Sequence, residues 1–284
     1  MNKYKFENKN GEHLHMLWSE RDECFQALTG TTTILEVLSK TLTYWASGLA
    51  VKEFSGIEDC KVLTKIKNKK ATKEEIQGVN EVVDNWLSEN KNLSVEEYIK
   101  LCQKAYSAHA TNLKDTAEEG TDLHEELERF VKNQILTQGK AKDTTEYDKK
   151  IQPFIEWSKE KVKRFIGSEV YVYDEIMFTG GIVDCIAELT DGTNAIIDFK
   201  RAKDVYFSHF CQVGGYDLQL TKNGAYDENG NKLFDLDKPI STFIVIPFGK
   251  PVFEPVENNN IKGFQKSFLS LLNIYREKSL FENK

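Results

Sequence analysis

The chain has 284 residues, of which 40% are apolar and 29% are charged, and its 45 acidic and 38 basic side chains give a net charge of −7. This composition is typical of one large or two small globular domains and excludes a disordered or fibrous chain. A negative balance argues against a protein that coats nucleic acid non-specifically, although a local basic groove can still bind DNA. No apolar stretch reaches the roughly 20 residues of a membrane span, and no apolar signal segment begins the chain. We therefore expect a cytoplasmic protein with no membrane partner.

The five cysteines are scattered along the chain without a C-x-x-C pair. An odd and dispersed set of this kind is typical of reduced thiols in a cytosol. A cysteine-ligated iron–sulfur cluster needs closely spaced cysteines. The spacing therefore predicts that the protein has no iron–sulfur cluster.

The first half of the chain is predicted to be mostly helical. Residues 1–30 are mixed and polar and favour a short hairpin. Three capping-box patterns predict helix starts, the first opening a helix that extends to about residue 49: Thr33 with Glu36, Thr72 with Glu75, and Ser94 with Glu97. Longer helical patterns cover about 113–136 and 148–165. The lysine-rich residues 61–73 favour either a solvated connection or a contact with nucleic acid.

Strand patterns begin near residue 168. The predicted elements that follow are strands at 170–173, 181–187 and 194–200, a helix at 206–220, a strand at 241–246 and a terminal helix at 262–280. The order predicts an α/β fold with helices 34–165 packed on and around one mixed sheet. We expect a single domain over 1–284, with a mostly helical portion at 1–112 and an α/β core at 113–284.

Two aspartates flank the turn at Thr190-Asp191-Gly192. A two-residue Asp-Gly loop would place Asp184 and Asp198 on opposite faces of the hairpin. A three-residue loop with Gly192 in the left-handed conformation would place them directly opposite each other on one face, about 5 Å apart at Cβ. Both turns are chemically allowed, so the sequence leaves the register open.

Lys200 lies two residues after Asp198 and projects from the same face of the strand. A simple ion pair with one aspartate would leave the other carboxylate without a partner, and burying it so would be costly. A divalent cation with oxygen ligands would balance the surplus charge. On this spacing alone, a metal site and an ordinary exposed hairpin remain alternatives.

The helices on either side of these strands add polar side chains. His124 and Glu128 share a face of the preceding helix. On the following helix, His209 lies one turn before Gln212 and Tyr216, which also share a face. The adjacent glycines at 214 and 215 favour close backbone approach by the sheet or a phosphate, or a simple packing contact.

Four ordered motifs together resemble the PD-(D/E)XK nuclease superfamily in its RecB-like branch, which includes phage-type and mitochondrial genome-maintenance exonucleases. They are Gly120-x-x-x-His124, Gly180-Gly181-x-x-Asp184, Ile197-Asp198-Phe199-Lys200 and Gln212-x-x-x-Tyr216. The match spans about residues 115–220, and the segment at 31–49 is also similar to the N-terminal part of phage members. Val183 stands where the name-giving proline would be, and Asp198 where many members have glutamate.

The resemblance implies a restriction-endonuclease-like mixed sheet with an αβββαβ core and a large N-terminal helical portion. It implies that His124, Asp184, Asp198 and the Phe199 carbonyl bind Mg²⁺ or Mn²⁺. Lys200 would orient or activate the attacking water and stabilise charge on the phosphate. Gln212 and Tyr216 would position the DNA strand and brace the site. Glu169 or Glu175 on the preceding strand would be a further acidic residue that assists the site, although the motifs align neither of them.

The predicted function is a metal-dependent DNA exonuclease of phage type, acting in recombination or replication in the cytoplasm, which is the host cytoplasm if a phage encodes it. Hydrolysis needs a nucleophile at neutral pH and relief of developing charge, and a divalent cation serves both needs. Arg201 and Lys203 follow the active strand and would lie near the DNA backbone. A single-strand annealing protein or a helicase would be a natural partner. The alternatives are a structure-specific endonuclease, a silent nuclease-fold module that binds DNA or protein, and a paired-carboxylate glycosidase.

Overall fold

The structure is a computed structural model that describes the backbone of residues 2–9, 12–38, 43–58, 60–137 and 146–282. Within these ranges it describes all side chains except those of residues 9, 12, 13, 43–46, 64, 95 and 109–122. The chain divides into two compact units. The first comprises Met1–Ser39 and Asp122–Lys284, and the second comprises Lys40–Thr121. The single domain predicted over 1–284, with a helical portion up to residue 112 and a core after it, stays a prediction.

The strands are β1 (Tyr4–Lys9), β2 (Glu12–Ser19), β3 (Cys24–Ala27), β4 (Thr29–Gly30), β5 (Val162–Asp174), β6 (Thr179–Leu189), β7 (Asn194–Lys200), β8 (Ala225–Tyr226), β9 (Lys232–Phe234), β10 (Ile240–Pro247) and β11 (Val256–Asn258). The helices are α1 (Thr31–Ile34), α2 (Thr43–Ser55), α3 (Lys61–Lys67), α4 (Lys73–Glu89), α5 (Val95–Thr137), α6 (Gln152–Lys161), α7 (Phe207–Asn223) and α8 (Ile261–Glu282). Short 3-10 turns cover Leu35–Leu38 and Lys149–Ile151.

Two of the three predicted helix starts are confirmed by their side-chain caps. The Thr72 hydroxyl accepts the Glu75 N–H at 3.2 Å, and the Glu75 carboxylate accepts the Thr72 N–H at 2.9 Å. Ser94 and Glu97 make the same reciprocal pair at the start of α5. The start predicted at Thr33 is wrong, because Gly30 precedes the first helical residue and provides no side-chain cap.

Four other predicted segments differ from the structure. The helix predicted at 148–165 ends at 161, where β5 begins, because residues 162–165 pair with β6. The segment predicted to be helical from residue 33 to about 49 is broken into α1, a 3-10 turn and α2, and residues 39–42 lie outside the described part. The first half of the lysine-rich segment is the helix α3 rather than a connection. Residues 1–30 form more than a hairpin, since β1, β2 and β3 make a three-stranded sheet.

The large sheet is mixed, with eight strands in the order β11-β10-β7-β6-β5-β8-β9 and with β4 attached to β6. The β7–β10 and β4–β6 pairs are parallel, and the other pairs are antiparallel. Because β7 and β10 run parallel, the chain must cross over between them, and α7 provides the connection. The predicted α/β class and mixed sheet are confirmed, and so is the N-terminal helical region.

Apolar clusters cover both faces of the sheet. One face packs against α7 and α8 through Ile196 and Phe243, and the other packs against α5 and α6 through Ile197 and Phe199. Burial on both faces explains why Ala195, Ile196 and Ile197 form a continuous apolar run in β7 rather than an alternating pattern. An ordinary exposed hairpin, one of the two alternatives for these strands, is therefore wrong.

The adjacent glycines of α7 serve helix packing. A Cβ on Gly214 would lie 2.7 Å from the Phe264 backbone carbon, and one on Gly215 would lie 2.7 Å from the Phe268 ring. Both neighbours belong to α8, so the packing contact is confirmed among the three interpretations of this pair. Within the described residues, no helix is long and apolar enough to cross a membrane.

Candidate active site

The β6–β7 hairpin adopts the register that brings the two aspartates together. Cys185 pairs with Ile197, and the intervening pairs lead to a three-residue loop that ends at Gly192 with a φ of +84°. The Asp191 carboxylate accepts the Thr193 N–H at 2.9 Å, which favours this loop over a two-residue turn. The next position along the register sets Asp184 across from Asp198.

The sheet opens at this point. Residues 179 and 180 of β6 pair with β5 on one edge and with β4 on the other, whereas β7 pairs only with residues 185–188. On this edge of β6, residues 181–184 therefore lie between the part that pairs with β4 and the part that pairs with β7. Asp184 is the last residue of this interval. A polar side chain can lie at this point of the sheet without interrupting a continuous ladder of backbone hydrogen bonds.

Three potential ligand atoms meet at the opening. The Asp184 carboxylate accepts the Phe199 N–H at 2.8 Å and thereby replaces the next bond of the β6–β7 ladder. Nε2 of His124, on α5, lies 3.2 Å from the Phe199 carbonyl oxygen and 3.8 Å from Oδ2 of Asp184. Since α5 packs on the face that carries the Phe199 ring, His124 reaches the carboxylate from that side of the sheet.

Asp198 and Lys200 form a buried ion pair beside these atoms. Lys200 Nζ lies 2.9 Å from both carboxylate oxygens and donates a hydrogen bond to Oδ1. The Asp198 side chain is only 1% exposed, and its Oδ2 accepts no hydrogen bond from any group that the structure describes. Lys200 is thus the charged partner of both oxygens, and Oδ2, which accepts no hydrogen bond from a described group, is the oxygen where a further ligand can bind.

Burial and charge act in opposite directions on this pair. Burial raises the pKa of Asp198 to about 6, although the Lys200 ammonium partly offsets it. Burial lowers the pKa of Lys200, but Asp198 and Asp184 outweigh it, so the net pKa lies above its usual value. At neutral pH, Lys200 Nζ therefore carries its proton and acts as a fixed positive charge.

Glu169 adds a further carboxylate to the site. Its neighbours Ser168 and Val170 pair with Cys185 and Val183, so Glu169 lies across from Asp184 on β5. Its φ is +47°, an uncommon conformation for a non-glycine residue that is often associated with function. Burial, and then the charge of Asp184, raise its pKa to about 8. Glu169 is therefore mostly protonated at neutral pH, and a cation at this position would favour its ionised form.

The α7 motif residues brace the site from within. The Gln212 side chain donates to the Tyr216 hydroxyl at 2.6 Å, and both side chains are buried. The Tyr216 ring packs so closely on Gly181 that a Cβ there would lie 2.4 Å from it. Gly181 therefore admits the ring beside the strand that carries Asp184. A cavity of about 690 Å³ borders Gly180, Gly181 and Tyr216.

The two predicted backbone-binding residues follow β7 directly. Arg201 is half-buried, whereas Lys203 is exposed and makes no ion pair with any described residue. Two hydrogen bonds from the loop after β10 hold this segment: Phe248 N–H to the Lys200 carbonyl at 2.7 Å, and Gly249 N–H to the Ala202 carbonyl at 3.2 Å.

Two polar residues join the site beyond the predicted set. His209 is half-buried and senses the charges of Lys200 and Asp198; burial, followed by Lys200, lowers its pKa. Its position one turn before Gln212 was the signal for it. Glu169 could be identified only from the register of β5 with β6. Glu175 lies in the turn after β5 and accepts a hydrogen bond from Asn223 at 2.7 Å, outside this group.

The donor set fits a hard divalent cation in part. Neighbouring ligands of an octahedral Mg²⁺ lie about 3 Å apart, close to the 3.2 Å between His124 Nε2 and the Phe199 oxygen. Among the described residues, no three His, Cys, Asp or Glu side chains are grouped closely enough to hold a metal by themselves. The Phe199 carbonyl is therefore needed to complete a site with His124 and Asp184, and the unsatisfied Asp198 oxygen is the further candidate ligand.

Another cavity, of about 890 Å³, lies among α5, α6 and the first residues of β5. None of the predicted site residues lines it. Comparison of the chain with models of known protein families and with characterised proteins finds no match.

Proposed function

We propose that this protein is a divalent-metal-dependent DNA exonuclease of the PD-(D/E)XK superfamily, in its RecB-like branch. The observation that carries the proposal is the convergence of His124, Asp184 and the Phe199 carbonyl beside the buried Asp198–Lys200 pair. The site has more carboxyl groups than its single lysine, Lys200, can pair with, and Oδ2 of Asp198 accepts no hydrogen bond from any described group. These features suit metal-assisted phosphodiester hydrolysis better than a structural ion pair. The glycosidase alternative has no use for Lys200 or His124.

The order of elements supports a restriction-endonuclease-like fold. A helix, three antiparallel strands, a helix and a further strand follow one another as α5, β5, β6, β7, α7 and β10, with α6 inserted after α5. Strand β10 adds parallel to β7. This arrangement corresponds to the αβββαβ core that the four motifs imply.

His124, Asp184, Asp198 and the Phe199 carbonyl would hold Mg²⁺ or Mn²⁺. When bound, the ion supplies a water of lowered pKa and offsets charge on the phosphate. Oxygen donors suit both ions, and a single imidazole makes Mn²⁺ acceptable as well. Because Lys200 follows Asp198 by only two residues on β7, the lysine is held beside the same candidate metal site.

Lys200 would donate a hydrogen bond from Nζ to the attacking water or to a phosphate oxygen. Its ammonium group is positioned by Asp198 before substrate binds, so little reorganisation is needed to stabilise developing negative charge. The Gln212–Tyr216 hydrogen bond within α7 orients the Tyr216 ring, which packs on Gly181 of β6 in the strand that carries Asp184. Arg201 and Lys203 would contact the DNA backbone. The proposal includes a cytoplasmic location and a single-strand annealing protein or helicase as partner.

The test is degradation of end-labelled single- and double-stranded DNA by the purified protein with Mg²⁺ or Mn²⁺. We expect cleavage that EDTA abolishes and that Asp198→Ala and Lys200→Ala lose. Glu188→Gln is the matched control, because it alters a buried carboxylate on the same hairpin away from the opening. Terminal products would support an exonuclease, and internal fragments an endonuclease. DNA binding without cleavage by the wild type would overturn the proposal in favour of a silent module.

A further inference from the structure

Two consecutive aromatic side chains are exposed at the entry to α7. Tyr206 is 53% exposed and Phe207 is 57% exposed, directly after the segment that links them to the catalytic strand. Large apolar side chains exposed side by side lose the free energy of burial. Because the segment that follows β7 leads directly to them, these two side chains are candidates for a binding surface.

Both rings are held in place on one side. The Tyr206 ring meets the His209 ring edge-on, with centroids 5.4 Å apart, and the Phe207 ring lies 5.9 Å from that of Phe264 on α8. Each side chain therefore has a supported edge and a solvent-facing surface. A ring that is already oriented loses little conformational entropy when it stacks on a ligand.

His209 connects this aromatic pair with the catalytic strand. Its Nδ1 accepts the Tyr206 N–H at 3.2 Å, so the neutral ring carries its proton on Nε2. The same imidazole is influenced by the charges of Lys200 and Asp198. The aromatic pair is thus hydrogen-bonded to a histidine that lies within the electrostatic influence of these two β7 residues.

The charges near the pair suit a polyanion. Arg201 and Lys203 precede it in the chain, and the one acidic residue between them and the pair, Asp204, lies 3.7 Å from Lys250. A basic segment followed by exposed rings is the combination that binds unpaired nucleic acid, because cations track the phosphates while bases stack on aromatics. In a duplex the bases stack on one another and their faces are not available.

We propose that Tyr206 and Phe207 form a stacking platform for the unpaired bases of a DNA strand that enters the active site. The platform makes single-stranded DNA, or a frayed end, the preferred substrate. This inference rests on the proposed nuclease function for the identity of the ligand, but its own test measures binding rather than cleavage.

The test compares three ligands of equal length: a single-stranded oligonucleotide, the same strand with abasic sites, and a duplex. Binding is measured by fluorescence anisotropy in EDTA, so that no cleavage occurs. We expect the abasic strand to bind roughly 5- to 150-fold more weakly for each base that stacks. Tyr206→Ala and Phe207→Ala should weaken binding of the normal strand toward the abasic value and leave binding of the abasic strand unchanged.

Two further variants complete the design. Phe207→Trp keeps an aromatic face and should retain the preference for the normal strand, which distinguishes stacking from a packing effect. Phe281→Ala, at a phenylalanine 79% exposed near the end of α8, is the matched control and should bind as wild type. The thermal midpoint of each variant confirms folding.

Equal binding of normal and abasic strands by the wild type would overturn the platform, as would unchanged binding by both alanine variants. If the wild type nevertheless degrades DNA with Mg²⁺, the nuclease proposal stands without the platform. If base-dependent binding is found but no metal-dependent cleavage, the platform stands and the nuclease proposal fails.

Discussion

The β6–β7 hairpin carries a buried carboxylate at each end, and the two are satisfied to different degrees. Glu188, beside the turn, accepts hydrogen bonds from Lys163 at 2.9 Å and from Arg164 at 2.6 Å. Asp198, at the open end, accepts one hydrogen bond, from Lys200 through Oδ1. Its Oδ2 lies 2.9 Å from the same ammonium nitrogen but accepts no hydrogen bond from any described group.

The pKa values of the two carboxyls move in opposite directions. Hydrogen bonds from Lys163 and Arg164 lower the pKa of Glu188 to about 2. Burial raises the pKa of Asp198 to about 6. The difference teaches that a carboxylate with both oxygens occupied contributes to the fold, whereas one left incomplete has capacity for a ligand.

The largest expected difference between substitutions at Asp198 and at Glu188 is in the rate of DNA cleavage. Asp198→Asn should reduce metal-dependent DNA cleavage by at least about 100-fold, because it removes a candidate ligand and the group that positions Lys200. Glu188→Gln should cleave at close to the wild-type rate. Initial rates on an end-labelled strand, measured for folded protein, check both. Equal losses in the two variants would break the distinction between the ends of the hairpin.

For stability the order is reversed, and Glu188 is expected to contribute more than Asp198. Glu188→Gln should lower the thermal midpoint by several degrees at pH 7, because Lys163 and Arg164 lose their charged acceptor. Since the folded pKa of Glu188 is lowered from 4.5 to about 2, its contribution is present above 4.5 and is lost as the pH falls toward 2. Melting curves of wild type and variant should therefore converge in acid. A constant difference across this range would contradict the interpretation.

A smaller effect on stability is expected at Asp217, a buried carboxyl that can be compared with Glu188 and Asp198. Its carboxylate is buried between α7 and α8 and accepts from Gln265 at 2.7 Å and from Thr221 at 3.3 Å, without a cation among the described side chains. Burial raises its pKa from 3.8 to about 6. Because the folded pKa is raised, the ionised carboxyl costs stability that grows as the pH rises through 6.

Asp217→Asn should therefore stabilise the protein by about 1–2 kcal/mol at pH 8. The gain should shrink as the pH falls from 6 toward 4, where the wild-type carboxyl is protonated in the folded state. Urea unfolding at a series of pH values measures it. A variant that is less stable than wild type at pH 8 would show that hydrogen bonds to the charged form outweigh its burial.

Local chemistry determined much of what could be predicted. The Thr72 and Ser94 caps lie within one turn of their partners, and the β6–β7 register follows from a three-residue loop. The sequence allowed two loops because both turns suit Asp-Gly. The Thr193 N–H bond to Asp191 favours the longer one, and it is visible only in the folded turn.

Long-range pairing explains what the sequence could not provide. Residues 162–165 have a helical pattern, but pairing with β6 draws them into β5, since tertiary contacts override local propensity. The same register sets Glu169 across from Asp184, a placement that the motifs could not give, whereas the spacing on α7 had already singled out His209. The opening of the sheet at Asp184 depends on β4, which lies about 150 residues earlier in the chain.

The most direct test of the central claim is Mn²⁺ binding, followed by electron paramagnetic resonance at neutral pH without DNA. The open end of the hairpin should bind the ion and the turn end should not. We expect wild type and Glu188→Gln to bind Mn²⁺ alike, while Asp184→Asn and Asp198→Asn bind it far more weakly. Absence of binding by the wild type, or equal binding by all four proteins, would contradict the assignment of a metal site to this opening.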